Sequence, residues 1–585
     1  MGRFDRLFWA RLWRLTRPYW TSDQKLVALG LFAVILLVNG SIQVGNVVFS
    51  YVNRDMMTAL ADRDAPTFFE KMLLLVAYNV VAAPVVAFAG YVTGRLMLRW
   101  RQWLTERFLE DSFHDRAFYR ISSEASIDNP DQRVSEDLGT FTHSAVSFVM
   151  QVLLGVATGV AFIIVLWFIS PLLVVLLAAC VGMGSLLTII IGRPLIGINF
   201  EQRRREADFR YALVGLRDNA EAIALYGGER REHTSLRQRL YAAMRIFHRM
   251  LVWQRNVAFF TYAYDLLLPL VPLLVLAPSF FAGTIEFGKI TQASAAFITL
   301  RTSLSLIIDQ FSSLSGFAAV VERLGEYQEM STTGRVSAAP TGPVSVATAD
   351  PEIETVEAAR LALERLTLTT PDGRKTLVRN LSLAVENGTA LLIVGESGVG
   401  KTSVLRAIAG LWRSGSGRII RPPLSDMMFL PQRPYMVPGS LRDQLCYPRE
   451  GDASDEQVIQ LLGLVGLENL PERIGGLEAQ VKWEDQLTMG EQQQIAFARL
   501  LFNRPGHAFL DEATSALDPD RERALYQCLA SAGISVVSVG DRLRLSRYHH
   551  GLIELLGHGD WRYVSLRGAD PRPASLAPSG PAPGA

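Results

Sequence analysis

The chain has 585 residues, and its 58 lysines and arginines almost balance its 57 aspartates and glutamates. With this balance the overall charge does not favour nucleic-acid binding, and no nucleic-acid partner is expected. Hydrophobic residues make up 49% of the chain and its mean hydropathy is +0.20, which indicates membrane segments confined to part of the chain. The three cysteines are scattered without metal-ligand or disulfide spacing, and we interpret them as free structural thiols.

Residues 1–25 combine basic and aromatic side chains. The basic ones are Arg3, Arg6, Arg11, Arg14 and Arg17, and the aromatic ones include Trp9, Trp13 and Trp20. A basic amphipathic segment of this kind is suited to a membrane surface, so residues 1–25 are predicted to form an interfacial elbow. A targeting presequence is the alternative, although the segment lacks the long apolar core and the cleavage site of a signal peptide.

Six long apolar segments follow, within a predicted transmembrane domain over residues 26–330. They lie at about Leu26–Val52, Met72–Leu98, Ala145–Ser170, Pro171–Ile191, Val257–Gly283 and Ile290–Phe317. Each is long enough to cross a hydrocarbon core of about 30 Å as a helix. The loops Arg95–Arg133 and Arg193–Arg255 are rich in arginine, so the positive-inside rule predicts that both loops and both termini are cytoplasmic.

Three charged residues fall inside the last two predicted spans: Asp265, Arg301 and Asp309. Charges at membrane depth are costly unless they face a cavity or a partner. Two interpretations remain open, a buried ion pair between the last two helices and a polar translocation path.

The composition changes after the membrane domain. Residues 331–360 are rich in Ser, Thr, Ala, Pro, Val and Glu and are predicted to be a linker. Residues 361–567 alternate strand-like and helix-like stretches, which predicts a soluble α/β domain. Residues 568–585 are rich in Pro, Ala, Ser and Gly, and we expect a disordered tail.

A phosphate-binding loop is predicted where an apolar strand, a glycine-rich loop and a helix follow one another. Gly395, Gly400, Lys401 and Thr402 complete its pattern. Glycines let successive backbone N–H groups turn toward an anion, and the helix N-terminus adds its positive dipole end. Lys401 should reach the β- and γ-phosphates of ATP, and Thr402 should ligate Mg²⁺. The predicted nucleotide-binding residues of the loop are Gly395, Glu396, Ser397, Gly398, Val399, Gly400, Lys401, Thr402 and Ser403.

Further catalytic candidates lie downstream. An apolar strand ends in Asp511 and Glu512, where Asp511 is placed to hold Mg²⁺ and Glu512 to polarise an attacking water. Gln432 supplies a carboxamide that can touch both the metal and the water. Thr488 and Gly490 precede a helix, which predicts a second anion-binding N-terminus.

Together these motifs resemble the ATPase domain of ABC transporters. The phosphate loop, Gln432, Leu487–Glu491, Asp511–Glu512 and Ser515–Asp518 match that family's Walker A, Q-loop, signature, Walker B and D-loop. In the family, the signature of one subunit closes on ATP held by another. The resemblance therefore implies that Thr488, Gly490, Glu491 and Asp518 contact ATP, with Mg²⁺, in a homodimer of half-transporters. It also implies the fold class, an exporter-type membrane α-helical bundle of six transmembrane helices fused to a cytosolic α/β ATPase domain.

A finer resemblance links the chain to the SbmA/BacA-related group, a bacterial relative of the peroxisomal acyl-CoA transporters. It is carried by Ile127–Arg133, Asn219–Gly228, Trp483 and Gly490–Gln493, and the second of these resembles the element that couples membrane helices to the ATPase. Members with a fused ATPase are associated with uptake of hydrophilic solutes such as antimicrobial peptides and cobalamin. The resemblance implies an ATP-driven importer of a peptide or cobalamin in the cytoplasmic membrane. The alternatives are transport of acyl chains or acyl-CoA, and an ATP-gated facilitator or sensor.

The chain departs from the family at three places. The signature has Thr488, Met489 and Glu491 where serine, glycine and glutamine are usual, and Thr488 keeps the hydroxyl. The aromatic residue that stacks on adenine would fall near Thr369–Thr370, where the sequence has none.

The third departure is Asp541, which stands where the family has its switch histidine. An ionised aspartate cannot donate a hydrogen bond to the γ-phosphate and repels it. Two interpretations follow, a tolerated substitution in a slow ATPase and impaired hydrolysis with ATP-driven dimerisation retained. His549 and His550 lie beyond the motif, and neither is assigned the switch role.

Overall fold

The computed structural model describes residues 5–123, 129–309, 311–333, 353–449 and 453–566. The chain divides into two units, Met1–Thr341 and Gly342–Ala585. Residues 334–352 of the predicted linker and the whole predicted tail lie outside the described residues, as do Ile127 and Asp128.

The first unit is helical throughout its described part. Its helices are α1 (Arg6–Thr21), α2 (Lys25–Ala61), α3 (Ala65–Phe113), α4 (Ala117–Ser123), α5 (Pro130–Gln132), α6 (Leu138–Ile169), α7 (Pro171–Asp218), α8 (Ala220–Tyr226), α9 (Glu229–Leu267), α10 (Leu270–Phe281), α11 (Phe287–Asp309) and α12 (Phe311–Thr333). A π-helical turn at Arg133–Asp137 joins α5 to α6. Ser170 is extended at φ −161° and ends α6, and Pro171 opens α7 at a position where its missing N–H is not needed. The break therefore falls at the predicted boundary between the third and fourth spans.

Five helical stretches of the described residues are long and apolar enough to cross a membrane. They are Lys25–Ala61, Ala65–Ser122, Pro130–Ile169, Pro171–Asp218 and Glu229–Phe281, and they contain the first five predicted spans. The sixth predicted span, Ile290–Phe317, falls on α11 and α12, with residue 310 between them outside the described residues. Within the described residues neither helix meets the same test. The sixth span stays a prediction.

Three ion pairs hold the C-terminal half of α12, and we call this set the α12 charge clamp. Its pairs are Arg11–Glu329 at 2.9 Å, Arg133–Glu326 at 3.2 Å and Arg323–Asp137 at 2.7 Å. The first pair is bidentate and buried, since Arg11 Nε also donates to Glu329 and the two side chains are only 5% and 6% exposed. The predicted elbow is thus the helix α1, and one of its faces is packed inside the unit.

The structure describes the contacts of two of the three charged residues in the last predicted spans. The guanidinium of Arg301 on α11 lies 2.5 Å from the carboxylate of Asp265 on α9, and also over the ring of Tyr264. Of the two interpretations left open, this contact supports the ion pair. The side chain of Asp309 lies outside the described part.

The second unit is α/β, as predicted. Its elements are β1 (Glu354–Glu357), β2 (Leu361–Thr369), β3 (Thr376–Val385), β4 (Ala390–Gly395), α13 (Lys401–Ile408), β5 (Gly415–Arg421), β6 (Met427–Leu430), α14 (Leu441–Cys446), α15 (Asp455–Val465), α16 (Leu470–Ile474), α17 (Trp483–Gln486), α18 (Met489–Asn503), β7 (His507–Asp511), α19 (Pro519–Ser531), β8 (Ser535–Val539), α20 (Arg542–Leu545), β9 (Gly551–Gly557) and β10 (Asp560–Ser565).

Two sheets organise this unit. One has the order β1-β5-β2-β3, with antiparallel pairs except for β1 and β5. The other has the order β10-β9-β4-β8-β7-β6 and is parallel except for the edge pair of β9 and β10. Its central strands are almost fully buried, as expected of parallel strands covered on both faces.

Candidate nucleotide-binding site

The parallel sheet brings the predicted site residues to one edge. β8 lies between β4 and β7, so that Val539 pairs with both Ile393 and Asp511. The carboxyl ends of these strands, and that of β6, therefore meet at the same edge. The phosphate loop follows β4, Glu512 follows β7, Gln432 follows β6 and Asp541 follows β8. Crevices at the carboxyl ends of parallel strands are the usual ligand sites of such sheets.

The geometry of the phosphate loop requires glycine. Gly395, Gly398 and Gly400 have φ of 150°, 76° and 114°, a region that side chains disfavour. A Cβ on Gly395 would lie 2.6 Å from the carbonyl oxygen of Leu555, which leaves no space for a side chain. Lys401 Nζ donates to the carbonyl oxygens of Gly395 and Glu396, at 2.7 and 3.0 Å. The lysine is thus folded over the cradle in which a phosphate would lie.

Thr402 and Asp511 meet at the floor of the site. Thr402 Oγ1 donates to Asp511 Oδ1 at 3.1 Å. Burial raises the pKa of Asp511, while the Thr402 hydrogen bond and the nearby Arg406 and Lys401 oppose that rise. Both groups are hard oxygen donors, and Mg²⁺ commonly binds through one or two such protein groups plus water and phosphate. The described residues contain no cluster of three or more His, Cys, Asp or Glu that could hold a metal ion.

Glu512 and Gln432 form a second pair at this edge. Gln432 Nε2 donates to Glu512 Oε2 at 2.9 Å. Glu512 has a φ of 50°, which is strained for a residue with a side chain, and its backbone N–H is held by the carbonyl oxygen of Val539 at 3.0 Å. Backbone strain of this kind clusters at functional sites. Here it fixes the position of the Glu512 carboxylate.

The predicted signature forms the N-terminus of α18. Thr488 is its N-cap, and Thr488 and Glu491 make a reciprocal capping box. Arg473 donates to the other oxygen of Glu491 at 2.7 Å. Burial disfavours the ionised form of Glu491, but the bonds from Arg473 and Thr488 outweigh it and lower the pKa of the carboxyl below its ordinary value. Gly490 lies against the carbonyl oxygen of Ala516, 3.0 Å from where a Cβ would be.

Gln493 connects three motifs, a role that the sequence did not reveal. Its side chain is fully buried, and its Nε2 donates to the carbonyl oxygen of Gln432 and to Ser515 Oγ, both at 3.2 Å. Its Oε1 accepts from the backbone N–H of Ala516 at 3.1 Å. The sequence offered one signal for this role, which was the position of Gln493 about one turn along α18 from the N-cap. Asp518 is placed differently, as the exposed N-cap of α19.

The structure separates Asp541 from the two nearby histidines. Asp541 is exposed and follows β8 by two residues, so it stands at the nucleotide edge. His549 is buried, with Nε2 2.9 Å from Ser538 Oγ and Nδ1 2.7 Å from the carbonyl oxygen of Leu545. Burial lowers the pKa of His549 to about 4.

His550 Nδ1 accepts from the backbone N–H of Ala390, at the end of β4 opposite to the phosphate loop. Neither histidine lies where a switch residue would act.

One aromatic residue does approach the expected adenine position. Trp412 Nε1 donates to the carbonyl oxygen of Thr369 at 3.0 Å, although the two are 43 residues apart. The indole is partly buried against the core around β2 and β4. The sequence around Thr369–Thr370 itself has no aromatic residue, so a role for Trp412 beside adenine stays a prediction.

Comparison with known proteins agrees with this geometry. Residues 15–281 match the family model described as ABC transporter transmembrane region 2, and residues 378–515 match the model described as ABC transporter. An uncharacterised ABC transporter ATP-binding protein of Synechocystis sp. is 42% identical over 91% of this chain and 80% of its own length. The chloroplastic ABC transporter D family member 2 of Arabidopsis thaliana is 37% identical over 94% and 86%. The lysosomal cobalamin transporter ABCD4 of Mus musculus is 30% identical over 95% and 96%.

These relatives match both units of the chain in one continuous alignment, and two of them carry D-family names. The membrane region and the ATPase thus form one half-transporter. The chain belongs to the ABC transporter family, as a multi-pass membrane protein that couples ATP hydrolysis to transport and is related to the D-type members.

Proposed function

We propose that two copies of this chain form an ATP-driven transporter of the cytoplasmic membrane that takes up a hydrophilic solute, a peptide or cobalamin. The observation that carries the ATP-driven step is the convergence of two pairs, Thr402 with Asp511 and Gln432 with Glu512, at one edge of the sheet. One side of this edge offers oxygen ligands for Mg²⁺, and the other offers a carboxylate for water.

Each residue of the site has a proposed part. Lys401 and the loop Gly395–Ser403 bind the β- and γ-phosphates. Thr402, Asp511 and Gln432 would hold Mg²⁺, whose chemistry there is to neutralise charge on the phosphate oxygens. Glu512 orients the attacking water and accepts its proton.

The second copy completes the site from the signature side. Thr488, Gly490 and Glu491 open α18, and the N-terminus of this helix offers backbone N–H groups to a phosphate of the other copy. Asp518, on the adjoining loop, would line the same junction. Because Arg473 already neutralises Glu491, the extra carboxylate does not repel the γ-phosphate.

Coupling to the membrane unit is assigned to the short helix α8. It lies within Asn219–Gly228, the stretch that resembles the family's coupling element, and its Leu225 and Tyr226 are 80% and 90% exposed. With the arginine-rich loops in the cytoplasm, this helix and both termini lie on the side of ATP.

Uptake of a hydrophilic solute is favoured over acyl-chain transport by two observations. The mouse relative, which aligns over nearly its whole length, is named a cobalamin transporter. The SbmA/BacA resemblance points the same way.

A second candidate function follows from Asp541 at the nucleotide edge. An anionic side chain there disfavours the γ-phosphate in the transition state, so ATP binding could gate a facilitator with little turnover.

The Mg²⁺-dependent ATPase rate of the full chain in lipid distinguishes the pump from the gated facilitator. The same rate is measured for Glu512→Gln and Asp541→His. We expect a rate at least tenfold above the Glu512→Gln control. A rate at that control, restored by Asp541→His, would replace the pump with the gated facilitator.

Solute identity is tested in proteoliposomes with the ATPase unit facing outward. Uptake into a cell corresponds here to movement from the lumen to the outer medium, so the lumen is loaded with cobalamin, a cationic peptide or an acyl-CoA. We expect ATP to accelerate release of cobalamin or peptide and not of acyl-CoA, and Glu512→Gln to abolish the acceleration. Release of acyl-CoA alone would overturn the solute assignment while leaving the ATPase result intact.

A further inference from the structure

Helix α1 has two distinct faces, and only one of them is packed into the bundle. Phe8, Arg11, Leu15 and Tyr19 form a stripe at helical spacing, and each is less than 8% exposed. This stripe accounts for the packing of α1 against α3 and α12. The neighbouring face of α1 carries a second stripe of side chains.

The second stripe consists of tryptophans and borders a cavity. Trp9, Trp13 and Trp20 follow one another at spacings of four and seven residues, and all three line a cavity of about 270 Å³. The opposite wall includes Trp100 on α3 and Val149 on α6, and the lining is almost entirely apolar. Trp9 and Trp13 are 59% and 62% exposed, so the cavity is open on the α1 side.

Exposed arginines lie on α1 beside the tryptophan stripe. α1 contains four arginines and no acidic residue. Arg11 is buried in the α12 charge clamp, whereas Arg6, Arg14 and Arg17 are exposed. Arg17 lies one turn after Trp13, and Arg6 one turn before Trp9, on the side of the tryptophan stripe that faces away from the bundle.

One polar atom in the cavity wall has no partner. Trp100 is 2% exposed, and its Nε1–H makes no hydrogen bond within the described part of the chain. Buried indole N–H groups usually have an acceptor. An ester or phosphate oxygen of a bound amphiphile would supply one.

We propose that this cavity binds an acyl chain of an anionic phospholipid, with Arg17 holding the phosphate. The apolar walls suit a hydrocarbon chain, and tryptophan and arginine are the residues that membrane proteins place at the level of the headgroups. No acidic side chain lies within α1, and its N-cap Asp5 is twelve residues before Arg17, which favours an anionic headgroup over a zwitterionic one at Arg17.

Photolabelling of the full chain in nanodiscs tests the proposal. Trace phosphatidylglycerol with a diazirine on its acyl chain is compared with the matching phosphatidylcholine, and labelled peptides are mapped. We expect phosphatidylglycerol to label α1 and the first half of α6 at least fivefold more than phosphatidylcholine. Arg17→Gln should bring the two lipids to the same level.

A variant that fills the cavity, with a matched control, sharpens the test. Val149→Trp should reduce the labelling at least fivefold, whereas Val156→Trp, two turns further along the same helix and outside the cavity, should not. Equal labelling by both lipids, or labelling that Val149→Trp leaves unchanged, would show ordinary boundary lipid and overturn the proposal. Unchanged labelling together with loss of the dimer, measured by mass photometry, would show that a second copy occupies the cavity.

The unmodified protein gives an independent measurement if Val149→Trp does not fold. Brominated acyl chains quench tryptophan fluorescence on contact. Brominated phosphatidylglycerol should quench at least twice as strongly as brominated phosphatidylcholine at equal mole fraction. Equal quenching would overturn the headgroup preference.

Discussion

Two sets of polar and charged residues, one in each unit of the molecule, differ in how deeply they are buried. In the membrane unit, the α12 charge clamp joins segments that are far apart in the chain, and its Arg11–Glu329 pair is almost fully buried. In the ATPase unit, Thr402, Asp511, Gln432 and Glu512 stay partly exposed at the ends of strands. The difference follows from what each backbone can do. Helices satisfy their own backbone groups and need side chains to fix their neighbours, whereas strands are held in register by the sheet and leave side chains free for chemistry.

Burial also decides how much stability is lost when one partner of an ion pair is removed. A buried ion pair loses solvation on both sides and becomes strongly destabilising when one partner is removed. An exposed pair contributes little, and its loss changes function before it changes stability.

The largest effect on stability is expected from Arg11→Ala. It leaves the carboxylate of Glu329 buried at 6% exposure, without its bidentate partner and with the exposed Arg14 3.4 Å away. The expected loss is about 3–5 kcal/mol. Thermal unfolding of the full chain in detergent measures it. Arg14→Ala is the matched control, because Arg14 is 53% exposed and contacts the same carboxylate, and it should cost less than about 1 kcal/mol. Equal losses in the two variants would show that burial does not set the cost.

In the ATPase unit, a loss of stability of comparable size should appear as the pH falls. His549 has a pKa of about 4 in the folded protein because it is buried, against an ordinary value of 6.5. The unfolded chain therefore binds a proton between pH 6.5 and 4 that the folded chain does not. Stability is full above pH 6.5 and falls by up to about 3 kcal/mol as the pH drops toward 4.

Unfolding of the full chain across this range should show a shallower slope in His549→Gln. His558→Gln serves as the control, because His558 is exposed. A slope that His549→Gln leaves unchanged would assign the pH dependence to other groups.

A smaller loss of stability, with a loss of activity, is expected from Gln493→Leu. The variant removes the partners of the Gln432 carbonyl and the Ala516 N–H, and should cost about 1–3 kcal/mol. Because Gln432 contacts Glu512, ATPase activity should also fall, by roughly tenfold or more. Gln492→Leu is the control, since Gln492 donates only to the carbonyl oxygen of Leu487. Normal turnover in Gln493→Leu would show that the site does not depend on this connection.

The smallest effect is expected from Arg473→Gln, at an ion pair that is half exposed. It leaves Glu491 without its compensating charge at the signature, so the KM for ATP should rise a few-fold with little change in stability. A second substitution, Glu491→Gln, should restore the KM. Arg523→Gln removes an arginine of the same 51% exposure away from the signature and should have no effect. A KM that stays constant in Arg473→Gln would contradict the neutralising role.

The site was largely predictable because its motifs are local. Gly395–Thr402 and Asp511–Glu512 follow apolar strands directly, and the parallel sheet carries them to one edge. Gln493 and Trp412 were not predictable as contacts, since each touches residues 22 to 61 positions away.

In the membrane unit, hydropathy predicted six spans, and five of them fall on described helices that are long and apolar enough to cross a membrane. It did not predict the buried face of α1. The sixth span is harder to predict for a physical reason. α11 carries Lys289, Gln292 and Arg301, so its side chains contact other helices instead of lipid along much of its length.

The Arg11–Glu329 pair also has a consequence for biosynthesis. Its two residues are 318 positions apart, and α12 is the last helix of the membrane unit. At about 5–20 residues per second, a ribosome needs roughly 15–60 s to make the second partner after the first. Helix α1 therefore cannot form this ion pair with Glu329 until every intervening helix has been made and inserted. The earliest helix of the chain completes its packing among the last.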